Sequence, residues 1–248
     1  MTDREPSRIL ALWSAPRSRS TAFLRMMAER GDYTVVHEPF SHVADFGKAD
    51  VAGRAVHSES ELIAALRELS ARTPVFFKDT TDFHYPGLLA DTEFLAEAEH
   101  TFIIRHPAEI VASHYALNPA LTRDEIGVAR LGEIHDAVAA HTSRTPVVVD
   151  SDDLLAAPEA TVRAYCAAVG IDFRAEALSW QPGLREEWRS TSAWHESTSR
   201  TSGFTKVASS YADTVDNNPL LAEFADYHLP HYLALKADRM PVPGVSGH

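Results

Sequence analysis

A polar loop near the amino terminus has the residue types that hold an anion. An apolar run stops at Ser14, and a helical pattern follows the loop. Between them stand Arg17, Ser18, Arg19, Ser20 and Thr21. A turn from a strand into a helix aims backbone N–H groups and the positive end of the helix dipole at one spot, which favours a phosphate. The alternative is that the serines only cap the helix and the arginines are solvated.

The loop differs from that of a nucleoside-triphosphate site. Kinases and hydrolases of that class need G-x-x-x-x-G-K-[ST], and this loop has neither the glycines nor the lysine. Arg17 supplies a permanent charge in a planar fork instead, and Ser20 and Thr21 can donate hydroxyls to a phosphate. A kinase with a degenerate loop and a noncatalytic domain that binds adenine nucleotides remain as alternative functions.

A second basic residue stands at the end of another apolar run. Arg105 ends this run, and Pro107 is favoured in the first turn of a helix. Ser113 lies roughly 9 Å along that helix, at about 1.5 Å per residue, and helical side chains lean back toward the amino terminus. Ser113 can therefore reach toward Arg105, so that two donors share a second phosphate. Taken alone, Ser113 is a small packing residue.

The elements around these residues alternate between strands and helices. Short apolar runs predict strands at 8–13, 33–38, 74–79, 100–105 and 146–151. Amphipathic patterns predict helices at 20–30, 58–72, 107–117, 122–142 and 158–169. The alternation predicts a three-layer α/β domain with a central parallel sheet of about five strands. Ligands bind at the carboxyl ends of parallel strands, so we expect Arg17 and Arg105 at the same edge.

The two motifs together resemble those of the PAPS-dependent sulfotransferases, whose donor is 3′-phosphoadenosine 5′-phosphosulfate (PAPS). In that family a loop of the form [KR]-[ST]-G-[ST]-[ST] holds the 5′-phosphosulfate, and residues 17–21 match it except at Arg19. An arginine with a serine eight residues later holds the 3′-phosphate, and Arg105 and Ser113 have that spacing. The resemblance covers residues 8 to 205 and implies one P-loop-like domain over residues 1–248.

The resemblance implies a reaction and its reactants. A sulfuryl group passes from PAPS to a hydroxyl or an amine of a small-molecule acceptor, and the product adenosine 3′,5′-bisphosphate (PAP) leaves. The donor is already activated, so no metal is expected. Arg17, with Lys78 as a helper, is implied to stabilise the leaving phosphate. The alternative for Lys78 is a surface lysine at a strand end.

Glu38, at the end of the second strand, resembles the glutamate that serves as the base in the carbohydrate sulfotransferase branch. Desolvation in a dry cleft can raise the pKa of a carboxyl toward the range useful for a base. Its neighbour His37 is expected to point to the opposite face of the strand. His84, in the loop after the third strand, is the second candidate base. The alternative for Glu38 is that it orients a loop or pairs with an arginine.

Two departures from the family pattern concern the catalytic loop and the base. Many members have glycine where Arg19 stands, and arginine would be strained there if the position needs a positive φ, so a different turn is one solution. The cytosolic phenol enzymes have a histidine two residues after a strand-end lysine, whereas Asp79 and Thr80 follow Lys78. The sequence is more similar to the bacterial carbohydrate and small-metabolite branch.

A late segment rich in Ser and Thr, residues 179–218, is predicted to form long loops. In the family a Gly-containing basic loop often closes over the 3′-phosphate, and Arg200, Ser202 and Gly203 match it loosely. The alternative is a solvated loop. His228 and His231 stand three residues apart without a third ligand, so no metal is predicted.

Composition and charge disfavour several kinds of partner. The chain has 248 residues and a formal net charge of −12, which disfavours nucleic acid and anionic membranes. No apolar run reaches the roughly 20 residues of a membrane span, and the polar amino terminus predicts no signal peptide. The single cysteine, Cys166, fits the cytoplasm and a buried helical thiol. Residues 240–248 are expected to be a mobile tail, and an oligomer is compatible with the sequence.

Overall fold

Five parallel strands form the central sheet of the computed structural model, which describes residues 8–183, 201–205 and 210–245. In chain order the strands are β1 (Ile9–Ser14), β2 (Thr34–His37), β3 (Ala49–Val51), β4 (Arg54–Val56), β5 (Val75–Thr80), β6 (Glu99–Ile104) and β7 (Val147–Asp150). The sheet order is β2-β5-β1-β6-β7, and β3 and β4 form a separate antiparallel pair. The predicted α/β fold and its five parallel strands are confirmed.

The helices connect these strands. In chain order they are α1 (Ser20–Glu29), α2 (Pro39–Phe46), α3 (Glu59–Ser70), α4 (Pro86–Ala90), α5 (Thr92–Glu97), α6 (Pro107–Tyr115), α7 (Val128–Thr142), α8 (Ser151–Ala156), α9 (Pro158–Val169) and α10 (Pro219–Ala237). The helices predicted from the sequence are confirmed, with small differences at their ends. Only the stretch 122–142 is divided, into a 3₁₀ turn at Asp124–Ile126 and α7.

Two longer helices lie where no helix was predicted. α2 begins at Pro39, directly after Glu38; proline ends a strand pattern, but it also suits the first turn of a helix, where its missing N–H needs no partner. α10 contains His228, whose Nδ1 accepts from the N–H of Ala129 and whose Nε2 donates to the carbonyl of Arg123. Both ring nitrogens of His228 therefore form structural hydrogen bonds to the backbone.

Side chains on the two faces of β1 enter two separate apolar layers. Trp13 packs with Phe40 and Phe77 on one face, whereas Leu12 and Phe76 pack on the other. Because side chains alternate along a strand, a sheet covered on both faces requires continuous apolar runs. The centre of the sheet, and with it the carboxyl end of β1, is thereby held in place by packing on both sides.

Single residues test two smaller predictions. Met240 and Val242 are held against the protein rather than lying in a mobile tail, because the N–H of Met240 donates to the carbonyl of Val148 (2.8 Å) and Val242 is buried.

Cys166 is buried, and burial raises the pKa of its thiol, which fits the predicted structural role. No described helix is both long and apolar enough to cross a membrane.

Candidate active site

The loop from β1 to α1 has an unusual backbone. Arg17 and Arg19 both have a positive φ, 65° and 68°, which costs free energy for any residue with a Cβ. The Ser14 hydroxyl donates to the Ser20 hydroxyl across the loop at 2.8 Å. The Ser18 hydroxyl is buried and has no hydrogen-bond partner among the described residues. A buried hydroxyl of this kind, beside a helix amino terminus, fits an anion that would accept its proton.

Arg19 keeps the backbone conformation that glycine favours, rather than the different turn considered from the sequence. Its guanidinium donates to the Ser151 hydroxyl (2.9 Å) and to the carboxylates of Asp152 (2.8 Å) and Glu109 (3.3 Å). These charge-assisted bonds help to offset the strained backbone. Arg19 therefore ties the loop to the start of α8 as well as contributing positive charge to the site.

Arg17 and Arg105 lie together, as the sheet edge predicts. Arg105 donates to the carbonyl of Arg17 (2.8 Å), and its guanidinium pairs with Glu109 at 2.6 Å. The Ser113 hydroxyl, expected near Arg105, instead accepts from Nε of Arg17 at 3.0 Å. Arg17 has a left-handed backbone, and its side chain reaches Ser113 on α6. One network thus joins the two predicted anion sites.

The arginines in this network repel one another. Burial lowers the pKa of Arg17, Tyr211 raises it and the charge of Arg105 lowers it. Burial likewise lowers the pKa of Arg105, to which the charge of Arg19 adds and which Glu109 opposes. Arginine stays protonated in proteins, so these shifts mean that positive charge is concentrated at some cost. A bound anion would relieve that cost.

Glu38 and Lys78 form an ion pair at the ends of β2 and β5. Lys78 is buried, and its ammonium donates to the Glu38 carboxylate, while the N–H of Glu38 donates to the Lys78 carbonyl at 2.7 Å. Glu38 has a left-handed backbone with φ 46°. This turn breaks the alternation of the strand, so His37 does not face away: its Nε2 lies 3.7 Å from the Glu38 carboxylate.

Asp79 fixes the start of α2, a role the sequence did not reveal. Its buried carboxyl accepts from the N–H groups of Phe40 (2.6 Å) and Ser41 (3.1 Å) and from the Ser41 hydroxyl (2.5 Å). Burial raises the pKa of Asp79 to about 7. The signal that could have identified it is an acidic residue at a strand end beside a Pro-initiated helix, whose first N–H groups need acceptors.

A cavity of about 840 Å³ joins these groups. The residues predicted from the sequence that line it are Arg17, Ser18, Arg19, Ser20, Thr21, Glu38, Lys78, Arg105, Ser113 and Gly203. Residues that the sequence did not single out also line it, among them His42, Asp82 and His114. Burial lowers the pKa of His114 to about 4, helped by the charge of Arg17, so its imidazole is neutral.

Two predicted residues do not line the cavity, and a third is not among the described residues. His84 is outside the cavity, with its side chain 52% exposed and 3.8 Å from Glu133. Ser202 is exposed next to the cavity, and its carbonyl accepts from the N–H of Trp180 at 3.1 Å. Arg200 falls outside the described residues.

Potential metal ligands also occur at this site. One nitrogen of His37, one of His42 and a carboxylate oxygen of Glu38 lie within 4.8 Å of one another. However, the ammonium of Lys78 is bonded to the same carboxylate, and a positive charge there opposes a cation. The ion pair between Lys78 and Glu38 therefore disfavours a metal ion at this group.

Residues 7–239 match the family model of the Sulfotransferase domain. The chain belongs to the sulfotransferase family. The resemblance inferred from the loop and from the Arg105–Ser113 spacing is thereby confirmed at the level of the family. The kinase alternative is left without support, since the match covers nearly the whole chain.

Two curated relatives of this chain carry a different name. Branched-chain-amino-acid aminotransferase-like proteins 2 and 1 of Arabidopsis thaliana are 24% identical over 255 residues and 25% identical over 253 residues. Each alignment covers 96% of this chain but only 44% and 45% of the relatives. The chain thus spans less than half the length of these plant proteins.

Solved structures similar to this chain share low sequence identity with it. The sulfotransferase from Alicyclobacillus acidocaldarius is 14% identical, with a TM-score of 0.47, over 80% of this chain and 97% of that one. The sulfotransferase domain of the Synechococcus PCC 7002 olefin synthase is 14% identical, with a TM-score of 0.44, over 91% and 96%. Mouse sulfotransferase SULT7A1, complexed with PAP, is 14% identical, with a TM-score of 0.38, over 93% and 84%.

Proposed function

We propose that this sulfotransferase takes the sulfuryl group of PAPS and transfers it to a hydroxyl of a small molecule inside the cavity. The observation that carries the proposal is the convergence of three features on one cavity. These are the strained basic loop after β1, the Arg105–Ser113 region on α6 and the Glu38–Lys78 ion pair.

The first two features suit the two phosphates of the donor. The 5′-phosphosulfate would bind at the amino terminus of α1, where Ser18 has a buried hydroxyl to donate and Arg17 offers its guanidinium. The 3′-phosphate would bind at Arg105 and Ser113, with Gly203 nearby in the late loop. Glu109 pairs with Arg105 in this structure, so a 3′-phosphate would compete with that carboxylate for the guanidinium.

The third feature suits the chemical step. Glu38 would take the proton of the acceptor hydroxyl, and the hydroxyl oxygen would form a bond to sulfur. The bond from sulfur to the 5′-phosphate oxygen would break, and PAP would leave with that electron pair. Lys78 and Arg17 would stabilise the charge that grows on the leaving oxygen. Because His84 lies outside the cavity, Glu38 is the base we propose.

Thermal melts with nucleotides and a transfer assay test this function. At about 100 times its Kd a ligand adds roughly 2.7 kcal/mol, which raises the Tm of a protein of this size by about 5–10 °C. We expect PAP to give such a shift and Mg-ATP a smaller one. Transfer of labelled sulfuryl from PAPS to a panel of alcohols, phenols and sugars then tests turnover.

Two results would contradict the proposal in different ways. A larger shift with Mg-ATP than with PAP would show that the loop prefers triphosphates. Binding of PAP without transfer to any acceptor would favour the noncatalytic nucleotide-binding domain considered from the sequence.

A further inference from the structure

Two chemically different regions line the cavity. The donor region contains the guanidinium groups of Arg17, Arg19 and Arg105. The other region contains the acidic and aromatic side chains of Asp45, Phe46, Asp82 and Phe83. Since the proposed donor is an anion, the acidic region is the part of the cavity left for the acceptor.

The acidic region adjoins the Glu38–Lys78 pair. Burial raises the pKa of Asp82 to about 6, with Glu38 raising it and Lys78 lowering it through their charges. Burial lowers the pKa of His42, whereas the negative charges of Glu38 and Asp45 raise it. The His42 ring lies 5.5 Å from the ring of Phe46. An acceptor bound against these side chains would therefore be next to the proposed base.

One oxygen of the Asp82 carboxyl lacks a hydrogen-bond donor among the described residues, although the group also has a hydrogen bond with the Thr80 side chain. Its Oδ1 is buried and has no partner among the residues that the structure describes, although the residue lines the cavity. Leaving a buried charged oxygen unsatisfied is costly. A carboxylate can only accept when it is ionised, so a ligand that satisfies it must bring an N–H or O–H group.

We propose that the acceptor is a cationic hydroxyl compound, in which a protonated amine binds against Asp82 and Asp45 while the hydroxyl takes the sulfuryl group. The inference rests on the proposed function and names its acceptor class. Asp45 lies in the last turn of α2, where the helix dipole also favours a cation. The exposed ring of Phe46 offers a face for cation–π contact.

The charges of the lining side chains disfavour an acidic acceptor. Among described residues, the permanent positive charges that line the cavity belong to Arg17, Arg19, Arg105 and Lys78, and each is used by the donor or by Glu38. A carboxylate or sulfate on the acceptor would be repelled by Asp45 and Asp82 and would have no cationic side chain to pair with among the described lining residues. A neutral alcohol would bind without the attraction between opposite charges.

Binding of a charge series to the protein with PAP tests the proposal. One set comprises tyramine, 4-ethylphenol and 4-hydroxyphenylacetate, which share a phenol and differ in side-chain charge. A second set comprises glucosamine, glucose and glucuronate. Calorimetry should show the cation binding at least about tenfold more tightly than the neutral member in one set, with the anion weakest. Absence of this preference in both sets, including no binding at all, overturns the proposal.

Substitution of the acidic residues tests the cause of the preference. Asp82→Asn keeps the size and removes the charge, and should reduce the preference for the cation to less than about twofold. Glu223→Gln is the matched control, because Glu223 is exposed on α10 outside the cavity and the change in net charge is the same. Should Asp82→Asn fail to fold, Asp45→Asn decides, with an expected loss of about two- to threefold in the preference.

The outcomes separate this inference from the proposed function. Failure of PAP to bind counts against the proposed function. PAP binding with no preference for the cation, or with a preference that Asp82→Asn and Glu223→Gln leave equally intact, counts against the acceptor class alone.

Discussion

Glu38 has a backbone conformation that residues other than glycine rarely adopt. Its left-handed φ of 46° lets one residue end β2, start α2 and turn its side chain toward Lys78. Strain of this kind costs about 1–3 kcal/mol and persists only where the surroundings impose it. Together with Arg17 and Arg19, it places three non-glycine residues with positive φ around one cavity.

Glu38→Gln should abolish most of the turnover without weakening donor binding. The amide keeps the size of the side chain but cannot take a proton, so kcat should fall by roughly 10²–10⁴-fold, the usual scale for a general base. The affinity for PAP, measured by calorimetry, should remain within about twofold. His84→Ala is the control, since His84 lies outside the cavity. An active Glu38→Gln together with an inactive His84→Ala would assign the base to His84.

Arg105→Ala should weaken the binding of PAPS more than the binding of a donor that lacks the 3′-phosphate. Loss of a charge-assisted hydrogen bond costs about 1.5–3 kcal/mol, or roughly 10- to 150-fold in affinity. Arg105 also holds the Arg17 carbonyl, so part of the loss will be shared by adenosine 5′-phosphosulfate. Comparing both donors in both proteins separates the two contributions. Equal losses for the two donors would mean that Arg105 only supports the loop.

At the scale of elements, α2 is the part that positions Glu38, the proposed base. The helix follows Glu38 directly, and its first N–H groups are held by Asp79 at the end of β5. The Asp79 carboxyl in turn accepts from the N–H of Thr80 at 2.9 Å. A single buried carboxyl therefore links the central sheet to the helix that orients Glu38.

Asp79→Asn should lower both stability and kcat while leaving the affinity for PAP unchanged. Weakened charge-assisted bonds cost about 1.5–3 kcal/mol of unfolding free energy, and the freed start of α2 should lower kcat by at least about tenfold. Asp91→Asn is the matched control, because Asp91 caps α5 by accepting from the N–H of Phe94 (2.9 Å) away from the cavity. If both variants lose stability and both retain kcat, Asp79 stabilises the fold without positioning Glu38.

At the scale of the whole molecule, the packing around the central strand makes stability depend on pH. His100, buried in β6, accepts from the indole of Trp13 at 2.9 Å. Burial lowers the pKa of His100 to about 4, whereas an imidazole in the unfolded chain titrates near pH 6.5. The folded state therefore binds fewer protons than the unfolded state between these values, and stability falls as the pH decreases through this range.

His100→Asn should remove this part of the pH dependence. The amide can still accept from Trp13 but does not titrate. The difference in unfolding free energy between the wild type and the variant should shrink by up to about 3 kcal/mol as the pH falls from about 6.5 to about 4. Denaturant unfolding at several pH values measures it. His114 titrates in both proteins, so its contribution cancels. A difference that stays constant with pH would contradict the prediction.

The sequence by itself determined the five parallel strands, five of the helices and the two motifs. Continuous apolar runs identified the five parallel strands, because both faces of the sheet are buried. Arg17 and Arg105, which follow two different strands, were predicted to meet, because parallel strands present their carboxyl ends at one edge. These are local patterns combined with a general rule of α/β topology, so one chain is enough to read them.

Only the tertiary structure decided the contacts between those residues. Ser113 binds Arg17 rather than Arg105, and His84 lies outside the cavity although it follows the same strand as Lys78. The role of Asp79 was identified only from the structure, in which its carboxyl accepts hydrogen bonds from the first N–H groups of α2. Each outcome depends on a backbone turn or on a partner from another element. The period of a strand or helix predicts which face a side chain is on. It carries no information about which distant group will be the hydrogen-bond partner of that side chain.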